Sequence, residues 1–192
     1  METNARIAAC AAAMFHEHGI TATGVDALSR AAGVSKRTLY ERFGSKDGLI
    51  VAAYESLDLP VYEMFTKPAE EASTSPAGQI DALFAQLEAL VGMPEFRGCP
   101  FANAAAELAD PGHPAHKVVR RHKERIRRWL LARLREAGAA DPARLSPRLM
   151  VVFAGAQSQA LVEHSVRPAR EAREITRLLI RASRSRDRDR GA

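Results

Sequence analysis

The sequence predicts an all-α protein: an N-terminal three-helix helix-turn-helix domain, then a larger helical bundle. Three observations carry that prediction. Apolar residues recur three and four positions apart through most of the chain, the period of a helix buried on one face. Glycines, prolines and polar runs fall between those stretches and mark where helices stop. Val25 to Phe43 reads as two short helices around a tight turn. The expected division is residues 1–56 for the first domain, 57–182 for the second, and a charged tail over 183–192.

Asn4 to His18 sets Ile7, Cys10/Ala11 and Met14/Phe15 on one face, and Gly19 ends the helix. Cys10 on that face reads as core rather than as a redox group. His16 and His18 suit the negative end of the helix dipole, and two residues apart they point differently, which makes a poor metal pair. The next helix starts at Thr23, whose hydroxyl suits an N-cap with Asp26 as its capping-box partner. Leu28 and Ala31-Ala32 give it an inward face. Gly33 stands at the turn, where glycine enters the left-handed region at little steric cost. Ser35 caps the following helix, and Val34 and Leu39 have the spacing of a hydrophobic staple. Leu39 and Phe43 face inward. Lys36, Arg37, Thr38, Tyr40 and Arg42 then form a donor-rich outer surface about two turns long. A helix of that size and chemistry fits a DNA major groove. An ordinary hairpin with a solvated basic face is the alternative.

Ser45 caps a further helix, with Asp47 placed as the dipole prefers. Lys46 in the same turn opposes the dipole, which hints at an anion outside the helix, although exposed lysines at helix starts are also common. This helix runs through Leu49, Ala53 and Leu57 to Pro60, where a proline ends or kinks it, with VYEMF open to a further helical turn or two. Lys67 to Gly78 reads as a loop. Gln79 to Val91 is amphipathic, with Ile80, Leu83/Phe84, Leu87 and Leu90/Val91 inward. Ala102 to Leu108 is a short alanine-rich helix. His116 to Ala137 is the longest regular one; its stripe is Val119, His122 or Ile126, Trp129/Leu130 and Leu134, and cations fill the rest. Those cations read as a solvated, long-stemmed face, with a second nucleic-acid site as the rival. Pro147 to Val166 is apolar on most sides between Leu149 and Ala156, so it needs cover on most sides, and a second subunit is a natural cover. Pro168 to Ala182 turns Ile175, Leu178 and Leu179 to one face. The tail from Ser183 is low-complexity and charged, and is expected to be disordered.

The net charge of +5 is unevenly spread: −1 over residues 1–60, −6 over 61–112 and +12 over 113–192. The helix-turn-helix half is therefore not basic overall. Its cations Arg30, Lys36, Arg37, Arg42 and Lys46 are concentrated instead, and local placement is what neutralises phosphates. No apolar run reaches the roughly 18 residues of a membrane span, so no membrane role is expected. No signal peptide is evident, and two cysteines make no disulfide framework; a cytoplasmic protein follows. His113, His116 and His122 with Cys99 carry ligand-type side chains, but Pro114 disturbs the turn between the first two, and surface histidines are the plainer reading. The motifs of hydrolases, zincins, phosphate loops and dithiol redox sites are missing, so neither catalysis nor a cofactor or metal is expected.

The stretch FHEHGITATGVDALSRAAGVSKRTLYERFGSKDGLI resembles the N-terminal domain of the TetR family of transcriptional regulators. The likeness covers about Ile7 to Tyr54 and is strongest at Ala31-Ala32-Gly33-Val34-Ser35, Leu39-Tyr40, Phe43 and Ser45-Lys46-Asp47. Gly98 to Leu108, GCPFANAAAEL, is similar to a segment in the C-terminal domain of some members. The resemblance implies a sequence-specific DNA-binding regulator, a ligand-responsive repressor, that works as a homodimer on a roughly palindromic operator in double-stranded DNA. It implies that residues 57–182 dimerise and enclose a small-molecule pocket. Lys36, Arg37 and Thr38 would start the recognition helix and reach base edges, with Ser35 at its cap also counted among the DNA-binding residues. Tyr40 and Lys46 would hold phosphates, and Thr23 would present a helix N-terminus to the DNA backbone. Asp26 and Glu41 are acidic near that surface and leave the footprint open. Phe84, Leu87, Phe101 and Trp129 would line the pocket, with Asn103 and His122 as polar anchors, for an apolar or aromatic effector. Plain core packing remains the other reading of those residues. A helical adaptor whose helix-turn-helix serves only packing is the rival for the whole chain.

Overall fold

The computed structural model describes residues 2–188. Among them stand nine helices and no strand: α1 (Glu2–His18), α2 (Val25–Ala32), α3 (Lys36–Phe43), α4 (Lys46–Ala72), α5 (Pro76–Val91), α6 (Pro100–Glu107), α7 (Ala115–Glu136), α8 (Pro142–Glu163) and α9 (Arg167–Arg188). The chain divides into two compact units, residues 1–61 with 100–123, and residues 62–99 with 124–192. The first unit thus also takes in α6 and the start of α7, which lie beyond the break expected at residue 56.

In the first unit α1 packs on α2 and α2 on α3. Ile7, Ala11, Phe15, Ile20, Leu28, Ala32, Leu39, Leu49 and Ile50 are buried there. Each large side chain so buried contributes about 1.5–3 kcal/mol. The start of α2 differs from expectation. Its N-cap is Gly24, with no side-chain cap bond. The Thr23 hydroxyl instead donates to the Gly19 carbonyl at 2.5 Å and is buried. The helix begins one residue later than a Thr23 cap would require, and glycine at an N-cap costs only a few tenths of a kcal/mol. The end of α2 is as expected: Gly33 takes φ 63°, and the Val34 amide donates back to the Ser29 carbonyl at 3.1 Å. Ser35 caps α3 by accepting from the Thr38 amide at 3.0 Å.

Prolines mark two of the other boundary differences. α4 continues through Pro60 to Ala72, so the expected loop over 67–78 shrinks to residues 73–75. A proline inside a helix costs about 3 kcal/mol. Buried Ala53, Tyr54 and Asp58 before it, and Phe65, Thr66 and Ala69 beyond it, supply the packing that overrides that cost. α8 begins at Pro142, five residues before the expected Pro147, because Asp141 caps it through the Arg144 amide at 2.9 Å. α9 runs to Arg188, past the expected end at Ala182; residues 189–192 of the tail lie outside the described residues.

In the second unit α8 and α9 form an antiparallel hairpin that packs on α5. Phe153 meets Phe65 and Phe84 edge-on, at centroid distances of 5.1 and 5.6 Å. Charged pairs tie the same helices together. Arg173 and Arg177 both close on Asp81, at 2.6 and 2.5 Å, and Arg170 reaches Glu88 at 2.6 Å. Burial by itself raises the Asp81 carboxyl, but the bonds from Arg173 and Arg177 outweigh it and bring it to about 2.

Candidate nucleic-acid interface

The outer face of α3 carries its polar residues into solvent while Leu39 anchors its inner face. Lys36, the first residue of the helix, pairs with Asp26 on α2. Arg37 is 87% exposed, and its Nε donates to Glu41 Oε1 at 2.7 Å one turn later. The Thr38 hydroxyl lies 2.9 Å from that of Ser35, so it is drawn partly into the cap. Tyr40 is exposed. Lys46 spends one donor on the Ile20 carbonyl at 2.8 Å, which ties the start of α4 to the α1–α2 turn. Thr23 differs from its expected place: its hydroxyl points inward, so any anion met there faces the bare start of α2 at Gly24.

Several residues that position this surface were not singled out from the sequence. Arg6 on α1 donates to the Ala32 carbonyl at 2.9 Å, satisfying a carbonyl at the end of α2. Asn4 accepts from Arg42 at 2.6 Å and so fixes the far end of α3. Glu107 at the end of α6 accepts from the Thr21 amide at 3.0 Å. These contacts span 26 to 86 residues, and no local spacing reveals them.

The expected effector residues fall into both units. Phe101, Asn103 and His122 belong to the first, and Phe84, Leu87 and Trp129 to the second. Phe101 and His122 lie nearly parallel, centroids 3.7 Å apart, and both are buried. The His122 Nδ1 faces Asp58 Oδ1 at 3.1 Å, and since a carboxylate only accepts, Nδ1 carries the hydrogen. Arg121 bonds the other Asp58 oxygen at 3.0 Å and supplies the counter-charge. Burial holds the His122 imidazole down at about 4, against the pull of Asp58, so it is neutral at pH 7. In the second unit Phe84 and Leu87 have no exposed surface, and the Trp129 indole donates to Glu70 at 2.6 Å.

Among the described residues no group of three or more His, Cys, Asp or Glu is placed to hold a metal ion. Cys10 is half-buried and Cys99 is buried. Among the described residues no helix is long and apolar enough to cross a membrane.

Comparison with known proteins agrees with this architecture. Residues 7–53 match the model of bacterial regulatory proteins of the tetR family, and residues 76–176 match a tetracyclin repressor-like C-terminal domain. No curated protein matches. Among solved structures, a TetR-family transcriptional regulator from Streptomyces coelicolor is 27% identical with a TM-score of 0.85, over 95% of this chain and 96% of that one. A putative TetR-type regulator from Streptomyces avermitilis is 31% identical with the same TM-score, over 95% of this chain and 98% of that one. A third, from Chloroflexus aurantiacus, is 25% identical with a TM-score of 0.78, over 91% and 92%. The chain therefore belongs to the TetR family of transcriptional regulators, and its N-terminal helix-turn-helix is a DNA-binding domain.

Proposed function

We propose that this protein binds a palindromic operator as a homodimer and releases it when an apolar or aromatic effector binds. It acts in the cytoplasm, without catalysis. Residues 1–56 carry the DNA contacts, and residues 57–182 carry dimerisation and effector binding. The observation that supports this most is the α3 face, where Arg37 stands exposed in the first helical turn, the part of a recognition helix that meets base edges. Lys36 and Thr38 flank it at the base edges, Ser35 sets the angle of the helix, and Tyr40, Lys46 and the start of α2 after Thr23 hold phosphates. Selection of bound sequences from random duplex DNA tests the reading. A two-fold motif with a steep salt dependence is expected. Recovery of no motif, with binding insensitive to salt, would favour the adaptor reading.

The dimer reading draws on α8 and α9. Val151 and Val162 are each 73% exposed, and Leu178 and Ile175 are also exposed. A groove of about 300 Å³ on these helices is lined by Val152, Gly155, Ala156 and Ile175, with Glu163, Arg167 and Glu171 also on its walls. An apolar face of that kind on a regulator suits a second copy of the same chain. Ala156 itself is buried within the unit, so Gly155, where an added Cβ meets nothing within 4 Å, is the position that tests the interface.

For the effector, the supporting feature is a buried polar group beside an aromatic wall: His122 and Asp58 with Phe101 in the first unit. Phe84, Leu87 and Trp129 are the candidates in the second, and Asn103 a further polar anchor in the first. Trp129 is the only tryptophan, so its emission reports on its own helix alone. Hydrophobic ligands should change that emission and release operator DNA over one concentration range.

A further inference from the structure

We infer that Glu41 determines specificity by aiming Arg37 at a guanine. The inference rests on the reading that α3 meets base edges. Arginine has five N–H donors in a fixed planar fork. In this protein Nε, the donor nearest the stem, is committed to Glu41 Oε1 at 2.7 Å. The terminal amines form no bond among the described residues, and the side chain is 87% exposed. The edge left open is therefore the one formed by the two terminal amines, whose parallel donors match O6 and N7 of guanine. Arg37 is the second residue of α3 and Glu41 lies one turn later on the same face, so the carboxylate sits behind the guanidinium, seen from the helix start.

Free in water, an exposed pair of this kind stabilises the protein little. Its effect appears on DNA, where the groove excludes water and the pair strengthens. A guanidinium already held in plane also loses less rotamer freedom on binding. The same carboxylate faces the negative field of the duplex and weakens binding at every sequence. Glu41 thus has two opposed effects: it lowers affinity for all DNA and raises the preference for one base. Lys36 with Asp26 differs, since an ammonium is a point charge without a fork to orient.

The test uses full-length protein. Sequences are selected from a random duplex library, and affinities are then measured on the selected duplex, on the same duplex with one G·C pair changed to A·T, and on random duplex. Arg37→Ala should lose a guanine from each half-site of the selected motif. Glu41→Ala should bind random duplex roughly twofold more tightly, as repulsion is removed. At the base pair that Arg37 reads, Glu41→Ala should lose roughly fivefold or more of its guanine preference, with Glu41→Gln in between because its amide oxygen still accepts from Nε. Circular dichroism should be unchanged for all three, since both side chains are exposed. If Glu41→Ala tightens all duplexes equally and keeps the guanine preference, Glu41 only repels phosphate and the inference fails. If the preference changes at a neighbouring base pair instead, Glu41 reads a base itself and the inference also fails. If Arg37→Ala leaves the motif intact, the base-reading role of α3 falls as well, and the two failures are told apart.

Discussion

Arg37 on α3 and Arg128 on α7 are both exposed arginines with a glutamate one helical turn away, at 2.7 and 2.9 Å. Their surroundings differ. Glu41 serves Arg37 alone and takes only its Nε. Glu124 is shared: Arg127 grips it through Nε and Nη2, both at 2.6 Å, while Arg128 adds a third bond. Those bonds, that from Arg127 first, bring the Glu124 carboxyl down to about 2. On α9 the pattern repeats, with Arg173 and Arg177 on one carboxylate. Most of the chain's cations lie after residue 112, yet many of those described there are engaged by carboxylates of their own unit. Residues 1–60, with a net charge of −1, hold the DNA-binding domain. Charge count is therefore a poor guide to the nucleic-acid surface; the donors left over after local pairing are a better one.

The largest expected effect comes from adding a cation in the wrong place. If positive charge helped wherever it stood, Gly155→Arg would tighten binding. The comparison predicts the opposite: operator affinity should fall by about 100-fold or more, because two linked half-sites are reduced to one. Sedimentation should show a monomer with unchanged secondary structure, since the new side chain has open space. An intact dimer would move the interface elsewhere.

Removing the anion that engages the α9 arginines should act on stability and not on DNA. Asp81→Asn leaves Arg173 and Arg177 facing each other without their shared carboxylate. A loss of about 2 kcal/mol is expected, a fall in Tm of roughly 4–8 °C. Acid should act in the same way on the wild type. The folded carboxyl sits below its usual value of 3.8, so its stabilisation is complete above that pH and is lost as the pH falls toward about 2. Urea titrations of both proteins across that window check the point, and Asp81→Asn should flatten the slope.

His122 provides a second pH dependence, in the first unit. Its folded value of about 4 lies below the unfolded 6.5. The unfolded chain therefore takes up a proton that the native state refuses, and stability falls as the pH drops from 6.5 to 4, by on the order of 3 kcal/mol. His122→Gln should remove that slope in a urea titration. An unchanged slope would assign it to another histidine.

How much of this was legible in the sequence follows from the range of the forces involved. The turn at Gly33, the Ser35 cap and the Leu39 anchor are local signals, and each holds. Thr23 was misread because its hydroxyl had two local uses, capping forward or bonding back to Gly19, and the residue type does not choose between them. The helix past Pro60 runs on to Ala72, beyond the turn or two expected, because a breaker's cost is local while the packing that overrides it is not. Asn4, Arg6 and Glu107 support the candidate interface through contacts that no short window contains. The pairing of Arg37 with Glu41 lies within one window, but the sequence marks Glu41 only as an acid near the surface.

Among the smaller expected effects, Tyr40→Phe and Lys46→Ala should each weaken binding to specific and random duplex alike, by a few-fold, and Lys46→Ala should lower the salt slope by about one unit. Lys46→Ala also removes the bond to the Ile20 carbonyl, so its melting curve should be read beside its affinity.

The central claim is that α3 meets the DNA and the α7 cations do not, and the matched arginines test it most directly. Arg37→Ala and Arg128→Ala each remove one exposed guanidinium from beside a glutamate. Affinity for a selected duplex and for random duplex is measured against salt concentration for both variants and the wild type. Arg37→Ala should lose the preference for the selected duplex, while Arg128→Ala keeps both the preference and the wild-type salt slope. A lowered slope in Arg128→Ala, with sequence preference intact in Arg37→Ala, would put the DNA on α7 and contradict the account.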